Sequence, residues 1–91
     1  QFTLTFPLDT PPAAVARVPA VVRAVVEAEP DVRFDRSHLA AVTDQALAVE
    51  SVYVVTTADY ARHMDAQQHI LLTILERLAA EGIALAVPTR A

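Results

Sequence analysis

Serine is the first side chain to consider for chemistry, because the 91-residue chain has no cysteine and one glycine. Ser37 and Ser51 both fall in segments patterned as strands, and neither lies in the Gly-x-Ser-x-Gly turn that exposes a catalytic serine. The absence of cysteine removes thiolate nucleophiles, thiolate zinc sites and disulfides. The one glycine, Gly82, cannot form a Gly-rich phosphate loop. We therefore expect a protein that is not an enzyme and that binds no cofactor.

The histidines are the remaining candidates for metal ligands. His63 follows Asp59 by four residues, and His69 follows Asp65 by four, so each pair would share one face of a helix. Neither pair has a third ligand, and His63 and His69, six residues apart, point in different directions from one helix. We expect surface carboxylate–imidazole pairs and no metal site.

Composition narrows the possible partners. The net charge is −4, and the only basic side chains besides histidine are seven arginines, which argues against nucleic acid. Charged or polar residues interrupt every apolar stretch before it reaches the roughly 18 to 20 residues of a membrane span. The length suits one domain, residues 1–91. Since the chain begins with Gln1 rather than Met, we expect a fragment of a longer protein.

The elements that must position these residues follow from periodicity. Alternating apolar residues predict a first strand over 2–6, ended by Pro7. A polar cap from Asp9 or Thr10 and apolar spacings of three and four predict a helix over about 12–29, with a kink or restart at Pro19. Two β-rich stretches then follow. They predict a hairpin with strands over about 32–42 and 46–55, joined at Thr43-Asp44-Gln45.

The second helix has clear signals at both ends. Asp59 suits its N-cap, and Gly82 suits the left-handed position after its last turn, with Ile83 packing back on Leu78. Its predicted buried stripe is Tyr60, Met64, Leu71, Ile74, Leu75 and Leu78. Alternation from Ile83 to Val87 predicts a final strand. The order βαββαβ predicts an α+β, ferredoxin-like sandwich in which two helices cover one face of an antiparallel sheet.

Two groups of polar residues remain. Arg33, Asp35 and Arg36 alternate in sign around an aromatic residue, which suits a strand edge, a subunit boundary or plain solvation. Gln67 and Gln68 interrupt the apolar stripe of the second helix. Such amides suit hydrogen bonds to a neighbouring chain or, with equal weight, to the protein's own backbone.

Three segments share a joint pattern with a known family. Residues 10–19 carry Thr-Pro-Pro and a later Val-Pro, residues 32–38 read Val-Arg-Phe-Asp-Arg-Ser-His, and residues 59–89 combine a double glutamine, Gly82 and a terminal Pro-Thr. In this order and spacing they resemble the C-terminal cytoplasmic domain of the small-conductance mechanosensitive ion channel (MscS) family. The resemblance covers essentially the whole chain.

The resemblance implies a channel that releases solutes on hypoosmotic shock, at the cytoplasmic side of the bacterial inner membrane. The domain would be a fragment of a longer membrane protein, attached to the membrane only through N-terminal segments that precede it. It would form part of a cytoplasmic cage built by a homoheptamer, while the isolated domain would be monomeric or weakly associated. Expected subunit contacts are Arg33, Asp35, Arg36, Asp65, Gln67 and Gln68. The alternative is a regulatory module that holds a small molecule between helix and sheet, as other ferredoxin-like domains do.

Overall fold

A computed structural model describes residues 1–86, and its elements follow the predicted order. They are β1 (Phe2–Phe6), α1 (Pro12–Glu27), β2 (Val32–Val42), β3 (Leu47–Val55) and α2 (Tyr60–Ala80). The three strands form one antiparallel sheet in the order β1–β3–β2. The predicted α+β fold is confirmed, since this order of elements is consistent with a ferredoxin-like βαββαβ sandwich.

The segment after α2 differs from the expected final strand. Residues 83–86 have no strand assignment. However, the backbone amide of Ala86 donates a 2.8 Å hydrogen bond to the carbonyl of Thr5 in β1. The other edge of β1 pairs with β3, so this bond lies at the edge where a fourth strand would pair. Val87, the last residue of the predicted strand, lies outside the described residues.

The core lies between the helices and one face of the sheet. Phe6 and Val49 supply its fully buried sheet residues, next to six buried valines of α1 and four buried residues of α2. Valine is a weak helix former because its branched Cβ restricts the side chain. Each buried valine nevertheless contributes on the order of 1.5 kcal/mol or more through removal from water. Packing on the sheet therefore stabilises α1 more than its intrinsic propensity does.

The start of α1 departs from expectation. Pro11 occupies the N-cap position, and no side chain of residues 1–86 caps the helix, so the polar cap expected from Asp9 or Thr10 is wrong. Proline at the first helical position has no N–H to leave unpaired, which lessens the need for a cap. Pro19 lies inside one continuous helix, so the chain does not restart there.

The β2–β3 hairpin is confirmed, and Thr43 organises its turn. The Thr43 hydroxyl accepts hydrogen bonds from the amides of Gln45 and Ala46 at 3.2 and 3.0 Å. The register shifts twice, between Phe34 and Arg36 and between Leu39 and Ala41. Each shift inserts an extra residue into β2, as in a β-bulge, and changes which side chains share a face.

Both ends of α2 form as predicted. The Asp59 carboxylate accepts from the amides of Ala61 and Arg62, and Gly82 has a φ of 73°. The amide of Ile83 donates to the carbonyl of Leu78 at 2.9 Å, which is the long bond of a Schellman motif. Among the described residues, no helix combines the length and apolarity needed to cross a membrane.

Candidate subunit interface

The residues predicted for subunit contacts form two separate groups. Arg33, Asp35 and Arg36 lie on β2, whereas Asp65, Gln67 and Gln68 lie on α2. All are exposed except Gln67, which is half-buried. The structure therefore defines two surfaces, on different elements.

The first surface, the sheet patch, lies on the face of the sheet opposite the helices. Arg33 stands opposite Val54 and Arg36 opposite Val52 in the β2–β3 register. A spacing of three would normally place the two arginines on opposite faces, but the bulge between them returns both to the open face. Val54 is 40% exposed. The sheet patch thus combines Val52 and Val54 with two guanidinium groups.

An acidic neighbour partly neutralises the sheet patch. Asp35, at the bulge, accepts a 2.9 Å hydrogen bond from Nη1 of Arg36, and both side chains are about half exposed. Such an exposed pair contributes about 0–1 kcal/mol and can exchange partners at low cost. Next along the same face, His38 stands opposite Glu50.

The second surface, the helix patch, includes apolar residues of α2 that were predicted to be buried but are exposed. Ile74 and Leu78 are buried as predicted, but Tyr60, Met64 and Leu75 are exposed by 76, 42 and 44%. The buried residues are Ala66, Ile70, Ile74 and Leu78, spaced by four. α1 and the sheet contact α2 along this narrow line, so the adjacent apolar residues remain outside the core.

The helix patch consists of side chains beside that line and on the opposite side of the helix: Met64, Asp65, Gln67, Gln68, Leu71, Leu72, Leu75 and Glu76. Leu72 is 49% exposed, and Asp65 and Glu76 lie seven residues before and four after it on the same side of the helix. Within residues 1–86 neither glutamine side chain makes a hydrogen bond. The backbone bond considered for these amides is therefore not formed in this part of the chain.

A cluster of polar side chains around the buried Glu29, the Glu29 clamp, is not apparent from residue spacing in the sequence. Glu29 is 7% exposed, and its two carboxylate oxygens lie 3.0 and 3.1 Å from Nδ1 of His69. Nη2 of Arg62 lies 4.0 Å from the same carboxylate and donates a 2.9 Å hydrogen bond to the carbonyl of Pro30. The clamp therefore joins the end of α1 to α2.

The clamp also holds the loop that enters β2. Asp31 has a φ of 62°, a left-handed conformation that aspartate tolerates better than most residues. Its carboxylate lies 3.5 Å from Nε of Arg62, and its carbonyl accepts from the amide of Thr56 at 2.7 Å. These contacts fix the loop between α1 and the sheet.

The two expected carboxylate–imidazole pairs are wrong. His69 contacts Glu29 rather than Asp65, and Asp59 caps its own helix. Nδ1 of His63 is buried without a hydrogen-bond partner in the described part of the chain. Within residues 1–86, no three His, Asp or Glu side chains are grouped so as to hold a metal ion.

An apolar groove of about 590 Å³ runs between the start of α1 and the end of the hairpin. Its walls include Leu8, Pro11 and Leu39, and Asp9 is its one charged lining residue in the described part of the chain. This volume is within the range of small-molecule sites.

The order of its elements and its antiparallel sheet define the protein as a ferredoxin-like α+β domain. The profile of the family described as "Mechanosensitive ion channel MscS, C-terminal" matches residues 1–85. The chain therefore belongs to this family, as the resemblance of its three segments indicated. The family consists of ion channels, which are not a class of enzymes. A search of curated protein sequences found no match to the chain.

Proposed function

We propose that this domain forms part of the cytoplasmic cage of a mechanosensitive channel that releases solutes on hypoosmotic shock. Family membership supports the channel, and the exposed apolar side of α2 supports the assembly role. Met64, Leu72 and Leu75 are each 42 to 49% exposed on neighbouring turns, and a protein that works alone rarely leaves such residues contiguous.

The proposal places residues 1–91 as one module of a longer subunit, at the cytoplasmic side of the bacterial inner membrane. The subunits form a homoheptamer, and contacts between them involve the six predicted residues of the sheet and helix patches. The domain has no catalytic role in this scheme. Ions and solutes pass by it, and tension sensing belongs to other parts of the subunit.

Glutamate substitutions in the helix patch test the proposal in the full-length protein. We expect Leu72→Glu with Leu75→Glu to reduce the assembled fraction in light scattering and to lower cell survival after hypoosmotic shock. Val42→Glu is the matched control, since Val42 is 67% exposed at the hairpin end and belongs to neither patch. Unchanged assembly and survival in the double variant would overturn the proposal.

The isolated 91-residue domain should be monomeric or weakly associated. Stable interfaces bury about 800 Å² per partner, and a patch of a few residues on one helix supplies less. Light scattering at micromolar concentration checks this expectation, and a stable heptamer would contradict it.

The apolar groove supports a second candidate, a regulatory site for a small apolar molecule. A ligand at a hundredfold excess over its Kd stabilises a protein by about 2.7 kcal/mol, which a thermal-shift screen detects. Leu39→Glu should abolish such a shift, because it introduces a charge into the groove wall. A screen in which no apolar compound raises the melting temperature would dismiss this candidate.

A further inference from the structure

The sheet patch and the helix patch lie on opposite sides of the domain. The helices cover one face of the sheet, and the sheet patch lies on the other face. The exposed centre of the helix patch, around Leu72, lies on the side of α2 that is turned away from its buried residues. A single copy therefore cannot bring its own two patches together.

The charges of the two patches are complementary. Arg33 and Arg36 border the apolar residues of the sheet patch, whereas Asp65 and Glu76 border Leu72 in the helix patch. Within residues 1–86, Arg33, Asp65 and Glu76 make no ion pair. Each patch thus has an exposed apolar centre and an unpaired charge of the sign that the other patch needs.

The same charges disfavour contact between two helix patches, which would bring four carboxylates together. Charge does not favour contact between two sheet patches, because each holds Arg33 and Arg36 beside Asp35 and beside Glu50 of the same face, so that the two together are close to neutral. Contact between unlike patches pairs arginine with carboxylate and covers Val54 with Leu72. When two copies join through unlike patches, one sheet patch and one helix patch remain free at the two ends of the pair. Further copies can therefore add in the same way until a ring closes.

We propose that the sheet patch of one copy packs against the helix patch of the next copy. The inference rests on the proposed function, according to which the subunits assemble. It adds which surfaces of neighbouring subunits meet and that the contact joins unlike patches. The interface is head-to-tail, with Arg33 and Arg36 facing Asp65 and Glu76 of the neighbour. The same two patches recur at every boundary around the ring.

Charge reversal in the full-length protein tests this pairing. Arg33→Glu with Arg36→Glu, and separately Asp65→Arg with Glu76→Arg, should each reduce the assembled fraction at least fivefold in light scattering. All four substitutions in one chain restore opposite charges across the contact and should recover more than half of the assembly. A quadruple variant as poorly assembled as either double variant would overturn the proposal.

The matched control is Glu27→Arg with Asp44→Arg, which changes the net charge by the same amount as the helix-patch reversal. Both acidic residues are exposed and lie outside the two patches and the apolar groove. Assembly should be unchanged in this control. An equal loss of assembly in the control would mean that net charge, rather than patch pairing, controls association, and would overturn the proposal.

Cysteine cross-linking distinguishes the direction of the contact. These 91 residues contain no cysteine, so Val54→Cys and Leu72→Cys introduce the only thiols of the domain. With any other cysteine of the subunit replaced, the double variant should give a ladder of oligomers under oxidation, and neither single variant should give dimers. Dimers from a single variant would show like-with-like contact and overturn the head-to-tail arrangement while leaving assembly intact. A wild-type protein that is monomeric at full length would overturn the proposed function as well.

Discussion

Removal of His69 should destabilise the domain far more than its exposed position suggests. The His69 side chain is 70% exposed, but its Nδ1 is the one hydrogen-bond donor to the Glu29 carboxylate among the described residues. In His69→Ala that carboxylate, 7% exposed in the native domain, keeps Arg62 at 4.0 Å as its one ionic neighbour among residues 1–86. A buried charged group that loses its hydrogen bond costs about 2–3 kcal/mol.

This loss is large against the total stability of a small domain, about 5–15 kcal/mol. For a chain of this size it corresponds to a melting temperature lower by about 10–20 °C. Urea unfolding of the isolated domain at pH 7, followed by circular dichroism, measures it directly. His38→Ala is the matched control. His38 is exposed on the open sheet face, and its removal should change stability by no more than about 0.5 kcal/mol.

A second substitution separates two contributions to the loss of stability in His69→Ala, the buried charge of Glu29 and the lost contacts of the imidazole. Glu29→Gln replaces the carboxylate by a neutral amide of the same shape, so in the His69→Ala background it should recover about 1 kcal/mol. The reasoning would be refuted if His69→Ala unfolded at the same urea concentration as His38→Ala. It would equally be refuted if Glu29→Gln lowered the free energy of unfolding further in the His69→Ala background.

Three further predictions concern the core and the end of α2. Gly82→Ala should cost about 1–2 kcal/mol in thermal unfolding, because φ is 73°, although no atom of the described residues lies within 4 Å of the added Cβ. Gly82→Asn should cost less, and equal costs would contradict this reasoning. Ser37 and Ser51 share a buried 2.8 Å hydrogen bond, so Ser51→Ala should lower the free energy of unfolding by about 1–3 kcal/mol. The variant with both Ser37→Ala and Ser51→Ala should lose less than the sum of the two single losses, and additive losses in the same assay would refute the pairing. Burial raises the pKa of Tyr53 above its ordinary value of 10.0, so the unfolded chain loses this proton first as the pH rises. The free energy of unfolding should therefore fall as the pH rises past that value, and Tyr53→Phe should lessen the fall in urea titrations at alkaline pH. An identical dependence of the free energy of unfolding on pH in the two proteins would contradict the assignment.

Features encoded by neighbouring residues could be predicted from the sequence. Alternation predicted β1, and two β-rich stretches with a short polar turn predicted the hairpin. Asp59 marked the start of α2, and Gly82 marked its end. Each of these depends on backbone geometry within a few residues, which composition and spacing reflect directly.

The buried side of α2 could not be predicted in the same way. Helical periodicity shows which residues share a side, but α2 has two adjacent apolar sides. The position of α1 decides which one enters the core. Met64 and Leu75 therefore looked equivalent to Ile74 in sequence, although Ile74 is fully buried and the other two are exposed.

The candidate interface was predictable by residue type but not by geometry. Arg33 and Arg36 share a face only because of the bulge between them, and no residue in that stretch marks a bulge in advance. The Glu29 clamp joins residues 40 positions apart, so the i, i+4 spacing that suggested Asp65 as the partner of His69 could not reveal it.

The two bulges of β2 have a consequence for how copies of this domain avoid fibrous aggregation. Among the described strands β2 is an edge, and a long regular edge would pair its backbone with almost any extended chain. Irregularities at Asp35 and Ala40 interrupt that row of donors and acceptors. Backbone pairing ignores sequence, whereas side-chain recognition can be altered by single substitutions. The distorted edge thus leaves recognition to side chains, which evolution can adjust one residue at a time.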